Sequence, residues 1–570
     1  MINPLNVANL TTLWRAHIPN VYGPPVISNG IVYVNVGGYA GIGNNGGIFA
    51  LNESTGAIIW YDNESNTGEY FSTRGGVALY DGHVYAGTTE SELVSINAQN
   101  GAVEWQVSIT QGIVGNPVGY YLGPSGTPLV FKDEVIIADA QGDIGARGFI
   151  RAFNATDGGL LWTFYTVPPS PMTSNNQGPW LNTWGNCSLC GGGDIWSLPA
   201  LDSSQGLVFV GTGNPAPDFN SSQRAPIPSD TNLYTDSIIA LNATNGNLIW
   251  YYQENQAESH DWDQGMPVMI FNTKINGTMT KVLAAGGKDG YFFELNALTG
   301  KLYYKIPLGI HYNSDAPPTP HGSLVYPGSF GGINSYSAFD PYTNMAYTIA
   351  YNQPSNYTIG SINATTDITG SVDNPVPGVT SNSTLYAIDV STGNIKWSMN
   401  LIGLGGGVSS TNDLVFTSDG NGIFYALNAQ NGAILWRYNP DADGYIGFVS
   451  RTPPSVSDGI LFESLYGTIS GGVIAFTTNT SVYFPVANKT TTTTTSSTDS
   501  TSRKSTTTTI QSTTPVSTDS TSISDTSLTS TSSTSSIAKL SILNPTAEFL
   551  VMVAAVVVGS FALLTIRRRT

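Results

Sequence analysis

One phrase recurs along the chain: an apolar strand, an Asn- or Asp-rich turn ending in Gly, and a second strand closed by an aromatic. It reads GGIFALNESTGAIIW up to Trp60, SELVSINAQNGAVEW up to Trp105, GFIRAFNATDGGLLW up to Trp162, and DSIIALNATNGNLIW up to Trp250. Two more copies, STLYAIDVSTGNIKW and GIFYALNAQNGAILW, end at Trp397 and Trp436, and GYFFELNALTGKLYY keeps the pattern with Tyr303 at the Trp position. Each copy carries the signature of a β-hairpin. An eighth copy is split, with GGVIAFTTN (Gly471 to Asn479) supplying its first half and TTLW (Thr11 to Trp14) its second. Pairing the two ends closes a ring and removes exposed sheet edges. The expected fold is therefore all-β, an eight-bladed β-propeller; an open β-solenoid of the same hairpins leaves the split copy without a purpose.

The propeller is expected over residues 1–485. Residues 486–545 change character: from Lys489 to Ser536 the chain is nearly all Ser and Thr, which cannot bury a core and reads as an extended, O-glycosylated stalk. Within 547–567 the run FLVMVAAVVVGSFALLTI is uncharged and long enough for one transmembrane helix. The arginines of the 567–570 tail then place the C-terminus in the cytoplasm and the propeller outside the cell membrane. A formal net charge of -18, with 11% charged residues, argues against a nucleic-acid surface. Asn-x-Ser/Thr sequons at Asn52, Asn63, Asn154, Asn242, Asn363 and Asn382 fit an exported glycoprotein. No charged segment followed by an apolar one precedes INPLNVANLTTLW, so the natural start is expected upstream of Met1.

Three polar interruptions break the repeat. They are GGGDIWSLPALDSSQGLVFVGTGNPA (Gly191 to Ala216), SHDWD (Ser259 to Asp263) and AGGKDGYFFELN (Ala285 to Asn296). Packing alone requires none of their Asn, Asp, Trp and Lys residues, so a site is expected there. Just before the first stand Cys187 and Cys190, in NCSLCGGG. The spacing admits a zinc half-site, a redox pair or a small-loop disulfide. An oxidising exterior favours the disulfide. Gly191 follows Cys190 where a c-type haem attachment would need His.

The run from GGGDIW through LDSSQGLVFVGTGNPAP resembles the signature of quinoprotein alcohol dehydrogenases, eight-bladed propellers that bind pyrroloquinoline quinone (PQQ) and calcium. Similar strings follow the family order: GDIGARGFIRAFN before it, then HDWD, GGKDGYFFELN and FGGINSYSAFDP, together spanning most of residues 10 to 480. The resemblance implies Asn214 and Asp143 as metal ligands, with Asp143 standing where the family usually has a glutamate one methylene longer. It implies Asp263 as a further ligand and the catalytic base; the motif is one residue shorter than usual, which leaves Asp261 as a competing base. Lys288 matches the basic residue that hydrogen-bonds the quinone oxygens, Trp196 the indole floor under the cofactor, and Arg74 the arginine on a cofactor carboxylate. Ser125 and Asn334 fall at further cofactor contacts, and Arg147 is taken as structural.

Two departures accompany these matches. No adjacent-cysteine pair precedes Arg74, where the chain reads NTGEYFSTR, and Gly265 stands where the lanthanide-using branch has an acid, which points to calcium. The implied function is a PQQ- and calcium-dependent dehydrogenase that oxidises an alcohol or aldose and passes electrons to an outside acceptor. The alternative is a noncatalytic propeller acting as a binding or assembly scaffold at the cell surface.

Overall fold

The computed structural model describes residues 1–478 apart from 19, 22, 38–45, 64–74, 89–90, 114–122, 125, 141, 143–145, 168–182, 186–189, 361–369, 374–375, 441–447, 450–451 and 467–470. The proposed stalk, apolar run and tail lie outside these residues. Among the described residues no helix is long and apolar enough to cross a membrane.

Among the described residues eight antiparallel blade sheets follow one another along the chain, in addition to one two-stranded and one three-stranded sheet. The first blade comprises Val26–Ser28, Ile31–Val36, Gly47–Asn52 and Ile58–Asn63, each strand pairing with the next. The fourth comprises Ala200–Asp202, Leu207–Gly211, Ser237–Asn242 and Leu248–Gln253, and the fifth Met269–Ile275, Thr278–Gly286, Tyr291–Asn296 and Leu302–Pro307. The eighth is closed by the two chain ends, as the split copy requires. Thr11–His17 adds antiparallel to Gly472–Thr477, with Thr11 opposite Thr477 and His17 opposite Gly472. The solenoid alternative is thereby excluded.

The recurring turn explains itself locally. Asn242 Oδ1 accepts from Thr244 N at 2.9 Å, and Gly246 N donates to Asn242 O at 2.9 Å, which tightens the hairpin. That geometry puts Gly246 at φ +69°, the left-handed region where only Gly is unstrained. Space forbids a side chain as well, because a Cβ there would sit 2.5 Å from Trp162 Cε3 of the preceding blade.

Trp162 therefore lies flat on its neighbour's turn, and its Nε1 donates to Ala243 O at 3.1 Å. The same link recurs around the ring: Trp14 donates to Glu53 O, Trp60 to Ala98 O, Trp105 to Ala155 O, and Trp250 to Ala297 O. Trp397 donates to Ala429 O, and Trp436 to Leu10 O across the closure. In the fifth blade the structure corrects the expectation for Tyr303. Tyr304 occupies the Trp position, since it pairs with Glu294 as Trp250 pairs with Ala240 and its ring covers Gly393 of the next turn. Strand alternation turns Tyr303 to the other face.

Each gap between blades holds its own apolar cluster. Between the third and fourth, for example, Ile136, Ile150 and Trp162 meet Val208, Ile239 and Leu241. The inner strands are thus buried on both faces, as in Leu207–Gly211, while outer strands such as Leu248–Gln253 are partly exposed.

Candidate functional site

The first and second ends of the Gly191–Ala216 segment lie side by side. Gly191 pairs with Ala216 and Gly192 with Pro215, Gly193 N donates to Asn214 O at 2.9 Å, and Gly213 N donates to Asp194 O at 2.8 Å. This small ladder extends past the blade strands and carries Asp194, Trp196 and Asn214 into one neighbourhood. Glycine is required for it. A Cβ on Gly192 would lie 2.2 Å from Asn214 O, and one on Gly148 would lie 2.1 Å from Gly193 O.

The other two interruptions are stitched to it by backbone bonds. Gln264 N donates to Thr212 O at 3.1 Å, and Lys288 N donates to Asp263 O at 2.9 Å. Asp263 is consequently held between the two neighbouring strands, 3% exposed. Its Oδ1 accepts from Asn214 N at 2.8 Å, and its Oδ2 accepts from Trp196 Nε1 at 3.0 Å. Lys288 Nζ lies 2.6 Å from Asp263 Oδ2 and 2.7 Å from Asp261 Oδ1, so one ammonium is shared by two carboxylates. It also stands 5.9 Å from the centroid of the Trp196 ring. Asp261 adopts φ +59°, in the left-handed region.

Trp196 rests an edge on the next interruption. A Cβ on Gly265 would be 2.5 Å from Trp196 Cη2 and 3.5 Å from Asn334 Cβ. An acid at position 265 would therefore collide with the indole. Asn334 is tied down by its own loop, its Nδ2 donating to Phe330 O at 3.1 Å and Gly331 O at 3.3 Å.

Asn214 has no solvent exposure. Its Nδ2 donates to Asp218 Oδ1 at 3.0 Å, which leaves the buried Oδ1 with no hydrogen-bond partner. A buried carbonyl oxygen left unpaired costs roughly 1–3 kcal/mol. A hard cation satisfies such an atom. Asn214 Oδ1 therefore fits a metal, while the half-buried Trp196 face and the Lys288 ammonium fit a flat anionic cofactor. Among the described residues, no three His, Cys, Asp or Glu side chains form a preassembled metal cage.

The expected residues Arg74, Ser125, Asp143 and Cys187 lie outside the described residues. Cys190 is disulfide-bonded and packs on Val167 and Trp184.

Sequence reasoning passed over several acids around this centre. Asp194 is 6% exposed, and Asp139 has no exposure, with its carboxyl pushed well above the usual range by burial and by the nearby Asp194 charge. Asp236 is likewise raised by burial and by Glu258 and Asp263. Behind the loop, Arg224 Nε and Nη2 donate to Pro217 O at 2.9 Å and Asp218 O at 3.0 Å, and its Nη1 donates to Asn232 Oδ1 at 2.6 Å. His260 stacks on Trp262 at 4.4 Å and pairs with Glu258 at 3.1 Å. Burial alone would lower the imidazole pKa, but the bond and charge of Glu258 raise it. His260 thus supports the loop that carries Asp263. The only sequence signal for Asp194 was a charge inside GGGDIW, a Gly-rich run that otherwise needs none.

Trp196, Asn214, Asp263 and Lys288 converge on one centre, and residues 1–308 match the family described as PQQ: glucose/ethanol/alcohol dehydrogenase, beta-propeller domain. The chain belongs to this family. It is a PQQ-dependent alcohol dehydrogenase-like quinoprotein by sequence. It is 29% identical over 478 residues to quinohemoprotein alcohol dehydrogenase ADH IIB of Pseudomonas putida, covering 77% of this chain and 67% of that one. It is 28% identical over 516 residues to the quinohemoprotein alcohol dehydrogenase of Comamonas testosteroni, covering 81% and 69%. The chain thus spans about two thirds of the length of such relatives. The crystal structure of the Comamonas testosteroni enzyme superposes with a TM-score of 0.73 at 24% identity, covering 84% of this chain and 78% of that one. A europium-containing methanol dehydrogenase superposes at 0.68 with 21% identity, covering 83% and 87%, and both agree in fold. Residues 381–532 match a second description, outer membrane protein assembly factor BamB.

Proposed function

We propose that this quinoprotein oxidises an alcohol or aldose with PQQ and calcium, on the outer face of a cell membrane. The observation that carries the reading is the buried Asp263 carboxylate, gripped at once by Lys288 Nζ, Trp196 Nε1 and Asn214 N. When bound, PQQ supplies a two-electron acceptor for the hydride of the substrate carbinol.

The chain's own residues do the rest. Trp196 offers a flat indole on which the cofactor stacks, and Arg74, Ser125 and Asn334 are its further anchors. Asn214 Oδ1, with Asp143 and Asp263, holds the cation. Asp263 takes the substrate hydroxyl proton; its three donors, Lys288 Nζ, Trp196 Nε1 and Asn214 N, fix the carboxylate plane, so the accepting oxygen does not have to reorient. Lys288 places positive charge where quinone reduction builds negative charge. Asp261 is assigned to orienting Lys288, whose Nζ lies 2.7 Å from its Oδ1. The scaffold reading draws support from the assembly-factor match, but it gives no reason to bury Asn214 Oδ1 unpaired.

The apolar run at Phe549 to Ile566 and the arginines after it support a membrane anchor with the propeller outside. The substrate is a small molecule, and the electron acceptor is a separate component. Purified protein loaded with PQQ and calcium should reduce an artificial dye when given primary alcohols or aldoses. Cofactor-loaded protein that reduces no dye with any of them would refute this function.

A further inference from the structure

Asp194 has no role in the family pattern that the sequence matches, yet it stands at the centre of the site. A Cβ on Gly213 would lie 2.2 Å from Asp194 Oδ1 and 3.1 Å from Asp263 Oδ1, so the two carboxylates border one point. Gly213 is also the residue before Asn214, whose buried Oδ1 lacks a partner. A third approach comes from Gly142, where a Cβ would lie 2.5 Å from Asp194 Oδ1. Gly142 precedes Asp143, the position at which the chain carries an acid one methylene shorter than the family's glutamate.

Carboxylate oxygens that border one buried point offer a seat to a hard cation, which takes its ligands from oxygen. A side chain at Gly213 or Gly142 would run into Asp194 Oδ1, so both positions are kept clear beside it.

We propose that Asp194 is a direct oxygen ligand of the site's hard cation, acting with Asp263 and the Asn214 amide oxygen. This rests on the cation assigned under the proposed function and extends it to a residue outside the family's ligand set. Asp194 supplies an anionic oxygen from the Gly-rich ladder, which offsets the shorter acid at position 143. Gly213 and Gly142 are the residues that let it in.

Terbium(III), an oxygen-seeking stand-in for calcium, tests this on the full chain without PQQ. Trp196 lies beside the site, so bound terbium should show indole-sensitised emission that saturates and is displaced by calcium. Asp194→Asn, which keeps shape and removes charge, should weaken terbium binding at least tenfold and add about one coordinated water by the emission lifetimes in H2O and D2O. Asp194→Glu, which retains a carboxylate, should recover part of the affinity. Far-ultraviolet circular dichroism verifies that the variants are folded; should Asp194→Asn not fold, Asp194→Glu with a changed water count carries the same test. Unchanged affinity and water count in a folded variant, or no saturable emission in the wild type, would overturn the assignment. PQQ uptake is read separately by absorbance. Loss of that signal with normal terbium binding would defeat the cofactor reading and leave Asp194 in place.

Discussion

Trp196 Nε1 donates to Asp263 Oδ2 at 3.0 Å, which couples the proposed cofactor floor to the proposed base. The indole belongs to the segment before the fourth blade and the carboxylate to the loop after it. Because Lys288 Nζ shares the same oxygen, floor, base and cation form one hydrogen-bonded unit. Changes in any of them should be non-additive.

Asp263→Asn keeps the side-chain shape and removes the base, and its single amide oxygen can accept from only one side, Asn214 N or Trp196 Nε1. Turnover in PQQ-loaded protein should fall by about 10³-fold, with cofactor absorbance largely retained. Steady-state kinetics beside a PQQ titration measure both; unchanged turnover would move the base to Asp261.

Asp261→Asn tests the division of labour between the two acids. It frees Lys288 from one partner and leaves Asp263 in place. Turnover should change by less than about tenfold, far less than for the base itself. A loss as large as that of Asp263→Asn would contradict the assignment.

The interblade link predicts a stability defect far from the site. Gly246→Ala must place a side chain at positive φ and drive it into Trp162. The two costs together are on the order of 3 kcal/mol. Chemical denaturation of the variant should show this loss, and a stability within about 0.5 kcal/mol of wild type would contradict the Trp-on-Gly packing.

Glu294 replaces the small residue that faces Trp in other blades, and Tyr304 Oη donates to its Oε2 at 3.2 Å. Burial pushes the Glu294 carboxyl up to about 8 from an ordinary value of 4.5. A raised pKa means the folded state keeps its proton while the unfolded state loses it. The stability contribution is full below about pH 4.5 and declines as pH rises through about 8. Glu294→Gln should remove that decline, so its Tm should gain on wild type between pH 5 and pH 8. Parallel Tm profiles would count against a neutral buried Glu294.

The ring was legible because each blade repeats the same local code: an Asx turn, a Gly at positive φ and an aromatic four residues on. The split copy revealed closure for the same reason. Tyr303 was misplaced because two adjacent tyrosines end the phrase; the four-residue spacing from Gly300, as in the other copies, lands on Tyr304. At the site, Asn214, Trp196, Asp263 and Lys288 were found by motif, but nothing in the sequence says that Lys288 bridges two aspartates. Asp194 was missed because its importance arises from the pairing of Gly191–Gly192 with Pro215–Ala216, a contact between segments over twenty residues apart.

The account stands most directly on where PQQ binds. A crystal structure of the protein grown with PQQ and calcium should show a planar ligand stacked on Trp196 within reach of Lys288 Nζ, and a cation against Asn214 Oδ1. Density for the cofactor elsewhere, or none at saturating PQQ with Trp196 and Lys288 unchanged, would contradict it.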